Sequence, residues 1–212
     1  MILEPDVALS DFALALACAG FAVWFTTRPH PLARAFLAFF AAAGTAAVLG
    51  GVAHGFLPDH GTALYAVVWA GTLIAIGVAA LASWIIGARL ILSPDATRIV
   101  IALAAALFAA YVAVVLLVSR AFAVAIAHYL PGAAFLLAAF MIAYFRERKT
   151  FLAAGLAGVV LTFVAAGIQQ ARIDLHPTWL THNALYHVVQ GIALLLIFLA
   201  ARRIVSQPMQ GS

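Results

Sequence analysis

Charged side chains are scarce in this sequence. Only 8% of its 212 residues are Asp, Glu, Lys or Arg, whereas 67% are hydrophobic. A soluble domain of this length does not need so much apolar surface, so the composition excludes an ordinary soluble fold. The single cysteine, Cys18, excludes a disulfide framework and a cysteine-rich metal motif. The single lysine, Lys149, lies between two apolar runs. This excludes a retinal protein, whose Schiff base needs a buried lysine.

The hydrophobic residues form successive runs, each long enough for a membrane-spanning helix of about 20 residues. The runs are continuously apolar and rich in Ala and Leu, and they lack the alternation of spanning β-strands. We therefore predict an all-α polytopic membrane protein, with residues 1–212 forming one domain. Its seven transmembrane helices are expected at about 7–27, 33–56, 63–88, 97–119, 121–145, 150–170 and 183–203.

Basic residues sort to alternate connections between these helices. Arg120 and Arg172 fall on one side, and the other nine fall on the opposite side: Arg28, Arg34, Arg89, Arg98, Arg146, Arg148, Lys149, Arg202 and Arg203. By the positive-inside rule, the N-terminus is expected outside and the C-terminus inside. We expect an integral protein of the bacterial inner membrane, with the lipid bilayer as its partner. No basic cluster carries the interleaved aromatics that nucleic acids select, which argues against nucleic-acid binding.

Polar residues cluster where the predicted helices 2 and 7 meet the outer surface. His54 lies near the end of helix 2, and Asp59 and His60 follow it. His182 opens helix 7, and a stripe at i, i+4 and i+7 follows on one helical face: Asn183, His187 and Gln190. Polar groups are costly near hydrocarbon, so their convergence at one depth predicts a functional site.

This cluster has the residue types of a zinc site. Neutral imidazole is the commonest protein ligand of transition metals, and a catalytic zinc takes three protein ligands and a water. His54 and His187 are the first two candidate ligands, and the third is one of His182, His60 or Asp59. Such histidines and asparagines also join membrane helices through hydrogen bonds, and this alternative stays open. His60 and His176 are expected in loops, and the role of His128, in helix 5, stays open between packing and function.

The predicted topology and these histidines resemble the alkaline ceramidase-like (CREST) superfamily of membrane hydrolases. Its pattern is Ser-x-x-x-His on helix 2, an Asp near helix 3, and His-x-x-x-His on helix 7. The segment G-G-V-A-H supplies His54 but has Gly50 in place of the serine. The segment N-A-L-Y-H supplies His187 but has Asn183 in place of the first histidine, with His182 one position earlier.

The resemblance implies a zinc-dependent hydrolase that acts on a lipid-like amide or ester, with zinc held by His54, His182 and His187. Asp59 would be the general base, and Asn183 or Tyr186 would donate to the developing oxyanion. The alternative is a non-catalytic seven-helix protein: a receptor, a binder or an accessory subunit of a membrane complex. A haem-binding electron carrier with His54 and His187 as axial ligands is a third possibility.

Overall fold

A computed structural model describes residues 2–207, which form seven α-helices and no strand. Each helix is long and apolar enough to cross a membrane, which confirms the prediction of seven spans. The helices are α1 Pro5–Phe25, α2 Pro31–Phe56, α3 Ala63–Ile91, α4 Pro94–Leu117, α5 Phe122–Glu147, α6 Thr150–Gln170 and α7 His182–Val205.

Three helices begin two or three residues earlier than the hydropathy pattern predicts. Their first residues are Pro5, Pro31 and Pro94. Proline suits the first turn of a helix because its missing N–H has no partner there and its φ is already helical. The apolar runs therefore mark the membrane core, and the prolines mark the helix starts outside it.

Six of the helices form a closed ring. Around the ring, α1 contacts α2, α2 contacts α3, and α3 contacts α5. Helix α5 then contacts α6, α6 contacts α7, and α7 contacts α1. Helix α4 lies outside the ring and packs mainly on α3. We call the end of the bundle at which α1 and α7 begin the acidic end, because Glu4, Asp6 and Asp174 lie there. We call the opposite end, at which Arg202 and Arg203 lie, the basic end.

The half of the bundle near the basic end is held together by aromatic rings. Phe25 of α1 stacks on Phe36 and Phe40 of α2, and Phe198 of α7 meets Phe25 and Phe40 edge-on. All four rings are buried. Such pairs add to the packing of large side chains, so this half fixes α1, α2 and α7 relative to one another.

Near the acidic end, α1 and α2 approach closely through glycine. A Cβ placed on Gly51 would lie 3.1 Å from the Cβ of Asp11 and from a ring carbon of Phe12. At Gly50, a Cβ would lie 3.2 Å from the Asp11 carboxylate oxygen Oδ2. The glycine face of α2 therefore makes room for an acidic side chain of α1.

This close approach predicts a position-dependent response to a bulky substitution. Gly51→Leu should destabilise the protein by about 1–3 kcal/mol, because overpacking separates α1 from α2. Gly20→Leu is the matched control, since a Cβ on Gly20 would have nothing within 4 Å. Both variants gain the same helix propensity, so the difference between their unfolding free energies in detergent isolates the packing cost. Equal stability of the two variants would contradict a tight α1–α2 contact.

Candidate functional site

A carboxylate lies inside the first membrane span. Asp11 is 3% exposed and lies six residues after the first residue of α1, which places it about 9 Å along the helix axis. A buried ionisable group in a membrane span marks a candidate functional site, because it is costly unless it is paired.

Asp11 is paired with the predicted site residue His187 of α7. The imidazole Nε2 lies 3.2 Å from Asp11 Oδ1, and the other ring nitrogen, Nδ1, lies 3.0 Å from Ser10 Oγ. The Ser10 hydroxyl donates to the Val7 carbonyl oxygen at 2.9 Å. Both nitrogens of His187 are therefore engaged by neighbouring residues of α1.

The Ser10 hydroxyl has one proton, which it donates to the Val7 carbonyl oxygen. The Ser10 oxygen can therefore accept a hydrogen bond from Nδ1 of His187 when that nitrogen carries a proton. Contacts at both ring nitrogens offset part of the cost of placing an imidazole among apolar helices.

Two buried carbonyl or carboxylate oxygens lack a hydrogen-bond partner among residues 2–207: Oδ2 of Asp11 and Oε1 of Gln190. Gln190 lies three residues after His187 on α7, and its amide Nε2 contacts Thr162 Oγ1 of α6 at 3.4 Å. Buried polar atoms are nearly always hydrogen-bonded, so two unpartnered acceptors need an explanation. Both can accept a hydrogen bond from a bound molecule.

Two other carboxylates hold the start of α7. Asp6 Oδ2 accepts from the Thr181 hydroxyl at 2.6 Å and from the Thr181 amide at 3.2 Å. Asp174 Oδ1 accepts from the backbone amide of His182 and contacts its Nδ1 at 3.0 Å. The side-chain and backbone hydrogen bonds of His182 lower the pKa of the Asp174 carboxyl below its ordinary value. Negative charge is favourable at the N-terminal end of a helix, so both contacts stabilise the start of α7.

A fourth carboxylate joins the start of α1 to the end of α2. Glu4 Oε2 lies 3.3 Å from His54 Nδ1, and the Leu3 amide donates to the Gly55 carbonyl oxygen at 3.1 Å. Each of the three histidines predicted as zinc ligands thus contacts a different carboxylate: His54 contacts Glu4, His182 contacts Asp174 and His187 contacts Asp11.

The residues predicted to act in catalysis lie in separate settings. Asp59 is exposed in the turn between α2 and α3, where its Oδ1 accepts from the Gly61 amide at 2.8 Å. Asn183 accepts a hydrogen bond from Gln169 of α6 at 3.2 Å. The ring of Tyr186 lies 5.0 Å from that of His187. Of these three residues, Tyr186 is therefore the one with a contact to His187.

The remaining histidines have local partners. His60 stacks on Tyr65 at 4.2 Å, and His176 Nδ1 accepts from two backbone amides in the loop before α7. His128 stacks on Tyr111 of α4 at 4.1 Å. These contacts give His60 and His176 structural roles in loops, and they place His128 against α4, away from His187.

The donor set as arranged does not fit a zinc ion. Among residues 2–207, no three His, Cys, Asp or Glu side chains form a group able to hold a metal. Both ring nitrogens of His187 contact other side chains. His182 is the first residue of a regular helix, and its Nδ1 contacts the Asp174 carboxylate. The zinc site made of His54, His182 and His187 stays a prediction.

The model of a known family matches residues 7–206 of the chain. The chain belongs to the family of unknown function DUF6962. No curated protein and no solved structure matches it significantly. The family description contains no link to the alkaline ceramidase-like superfamily, so that resemblance also stays a prediction.

Sequence reasoning missed the carboxylates that pair with these histidines. None of Glu4, Asp6 and Asp11 was predicted to belong to the site. One signal was present, because Asp11 falls inside the apolar run predicted to be helix 1, and an acidic residue there is rare. The pairing of Asp11 with His187 could not be predicted, because hydropathy does not show that α1 lies beside α7.

The paired geometry predicts strong coupling between Asp11 and His187. Either Asp11→Ala or His187→Ala should destabilise the protein by about 3 kcal/mol, since each leaves a buried polar partner unpaired. The double variant should lose less than the sum, with a coupling of about 1–3 kcal/mol in unfolding measured in mixed detergents. The same cycle on the exposed pair Asp174 and His182 is the control and should show weaker coupling. Additive effects at Asp11 and His187 would contradict the contact.

Proposed function

We propose that the protein is a non-catalytic membrane binder whose site lies inside the acidic end of the bundle, between α1, α2 and α7. The observation that carries this proposal is the Asp11 carboxylate. It is buried in a membrane span, one oxygen contacts His187, and the other has no partner among residues 2–207. A protein retains such a group where a ligand or a proton uses it.

The packing around Asp11 supports a binding role over simple helix joining. A single hydrogen bond between α1 and α7 needs only the oxygen that contacts His187. The second oxygen instead faces Gly50, the position at which the ceramidase-like pattern has serine. Because Gly50 has no side chain, this position of α2 offers no side-chain donor to the oxygen.

The unpartnered carboxylate oxygen defines the ligand class. Asp11 Oδ2 is an acceptor, so a ligand that reaches it must donate a hydrogen bond. A protonated primary amine is the strongest match, because it has three N–H donors and a charge opposite to that of a carboxylate. The His187 ring contacts the carboxylate, and the Tyr186 ring lies 5.0 Å from the His187 ring. Aromatic rings near the carboxylate suit an amine with an aromatic or otherwise apolar body.

Thermal unfolding of the purified protein in neutral detergent tests this proposal with 2-phenylethylamine as the probe. At about ten times its dissociation constant, the amine should stabilise the wild type by about 1.4 kcal/mol, which raises Tm by a few degrees. Asp11→Asn should abolish this rise because it removes the charged acceptor. Asp95→Asn is the control, since Asp95 is exposed at the basic end and pairs with Arg98.

A second ligand separates hydrogen bonding from charge alone. The N,N,N-trimethyl form of the same amine keeps the positive charge but has no N–H donor. It should give a smaller shift in Tm than the primary amine. Equal shifts for the two ligands, or an unchanged shift in Asp11→Asn, would contradict binding through the carboxylate.

The second candidate is the zinc-dependent hydrolase acting on a lipid-like amide or ester. One observation favours it: His54, His182 and His187 each contact a carboxylate, as zinc-binding histidines commonly do. The three side chains would have to move together for a shared metal, and His187 would have to release Ser10 from Nδ1.

Metal analysis of the purified protein decides on this candidate. If the protein binds zinc, the wild type prepared without chelator should hold about one zinc per chain. His54→Ala and His187→Ala should lose it, because a tetrahedral site with three protein ligands does not tolerate removal of one. His60→Ala is the control, since His60 stacks on Tyr65 in a loop. A wild type that is folded and free of metal would exclude the zinc hydrolase.

The proposed orientation places the acidic end outside and the basic end inside, in a bacterial inner membrane. Its support is the concentration of basic residues at one end of the helices, including Arg89, Arg146, Arg202 and Arg203. In this orientation the binding site faces the outer side.

A further inference from the structure

The basic end has a groove at the start of α6 and the end of α7. It encloses about 330 Å³ and is lined by Thr150, Phe151, Ala154, Leu199, Arg202 and Arg203. An adjoining cavity of about 330 Å³ shares Thr150, Phe151 and Arg203 and extends to Ser206 and Gln207. Volumes of a few hundred Å³ are typical of sites for small ligands.

Neither arginine of this groove is paired with an acidic side chain in the part of the chain that the structure describes. Elsewhere at the basic end, Arg98 pairs with Asp95 at 3.0 Å, and Lys149 pairs with Glu147 at 2.7 Å. Among residues 2–207, neither Arg202 nor Arg203 has a carboxylate within 4.0 Å. The groove thus holds two positive charges that no described side chain neutralises.

The two arginines have different roles in the packing. Arg202 lies over the rings of Trp24 and Phe198, 5.5 Å and 5.6 Å from their centroids, so it also holds α1 against α7. Arg203 is exposed and has no such aromatic contact. Arg203 is therefore the residue whose charge can be removed with least disturbance to the fold.

The lining changes character along the helices. Phe151, Ala154 and Leu199 form an apolar wall that continues into the membrane span, and the guanidinium groups lie where the span ends. A molecule that matches both parts has an anionic head and an apolar tail. A free phosphate ion would match the arginines but would leave the apolar wall uncovered.

We propose that this groove binds the headgroup phosphate of an anionic phospholipid, with Arg202 and Arg203 as its cationic contacts and the apolar wall beside its acyl chain. Basic pockets between membrane helices are suited to such headgroups, because charge attraction adds to burial of the tail. The site is separate from the Asp11–His187 pair and does not depend on the proposed amine binding.

The test is a titration of the purified full-length protein in neutral detergent with phosphatidylglycerol, read by thermal unfolding. Phosphatidylcholine at the same concentrations is the lipid control. Phosphatidylglycerol should raise Tm of the wild type above the value reached with phosphatidylcholine. Arg203→Gln should raise the apparent Kd for phosphatidylglycerol about tenfold, the expected effect of losing one charge-assisted hydrogen bond.

Arg98→Gln is the matched variant, because it removes one exposed positive charge from the same end of the bundle. It should leave the apparent Kd within about twofold, since charges that are exposed and distant from the site are screened by salt. Equal losses in Arg203→Gln and Arg98→Gln would overturn the proposal and indicate general attraction to the basic end. Equal shifts in wild-type Tm with phosphatidylglycerol and phosphatidylcholine would overturn it too.

A third arm separates a lipid from free phosphate. Glycerol phosphate and inorganic phosphate, each at ten times the lipid concentration, should produce no shift comparable with that of phosphatidylglycerol. If either reproduces the shift, the site recognises soluble phosphate and the lipid assignment is wrong. Arg202→Gln is a supporting variant. It should lose the rise in Tm with phosphatidylglycerol while its Tm without lipid stays close to that of the wild type. The second measurement is needed because Arg202 also packs on Trp24.

Discussion

The arrangement of the acidic end depends on one constraint, the burial of the Asp11 carboxylate within a membrane span. A polar group at that depth is costly, and the contact of His187 with Oδ1 offsets part of that cost. The contact requires α7 to present position 187 to α1, since a shift of one residue would turn the imidazole by about 100°. It also brings Asp11 close to position 50 of α2, where a Cβ would lie 3.2 Å from Oδ2. The burial of this one carboxylate therefore constrains how α1, α2 and α7 pack against one another.

The two halves of the bundle are stabilised by different forces. Toward the basic end, the rings of Phe25, Phe40 and Phe198 pack without polar partners. Toward the acidic end, carboxylates contact the start of α7 and the end of α2. Aromatic packing is not changed by protonation or by a polar ligand, whereas carboxylate contacts are. The first half can hold the helices together while the second exchanges protons or partners.

The sequence predicts the helices well and the site only in part, for a physical reason. Hydropathy measures which segments leave water, so all seven spans were predictable, and only the proline-led starts were placed late. Helical periodicity correctly put Asn183, His187 and Gln190 on a face that contacts α6 and α1. Periodicity gives a face but not the neighbouring helix, so Asp11 and Ser10 were not predictable as partners of His187. The role of Asp59 in a turn depends on its backbone geometry.

Hydrogen-bond capacity differs between the imidazole and the carboxylate of this site. An imidazole has two nitrogens, and in His187 one contacts Ser10 and the other contacts Asp11, so neither is left for a metal. The carboxylate has capacity to spare, because Oδ2 of Asp11 accepts nothing from residues 2–207. The unused hydrogen-bond capacity of the cluster thus lies on a carboxylate oxygen of α1 and not on the imidazole of His187. A molecule that donates to this oxygen would complete the network without breaking any contact that now holds α1, α2 and α7 together.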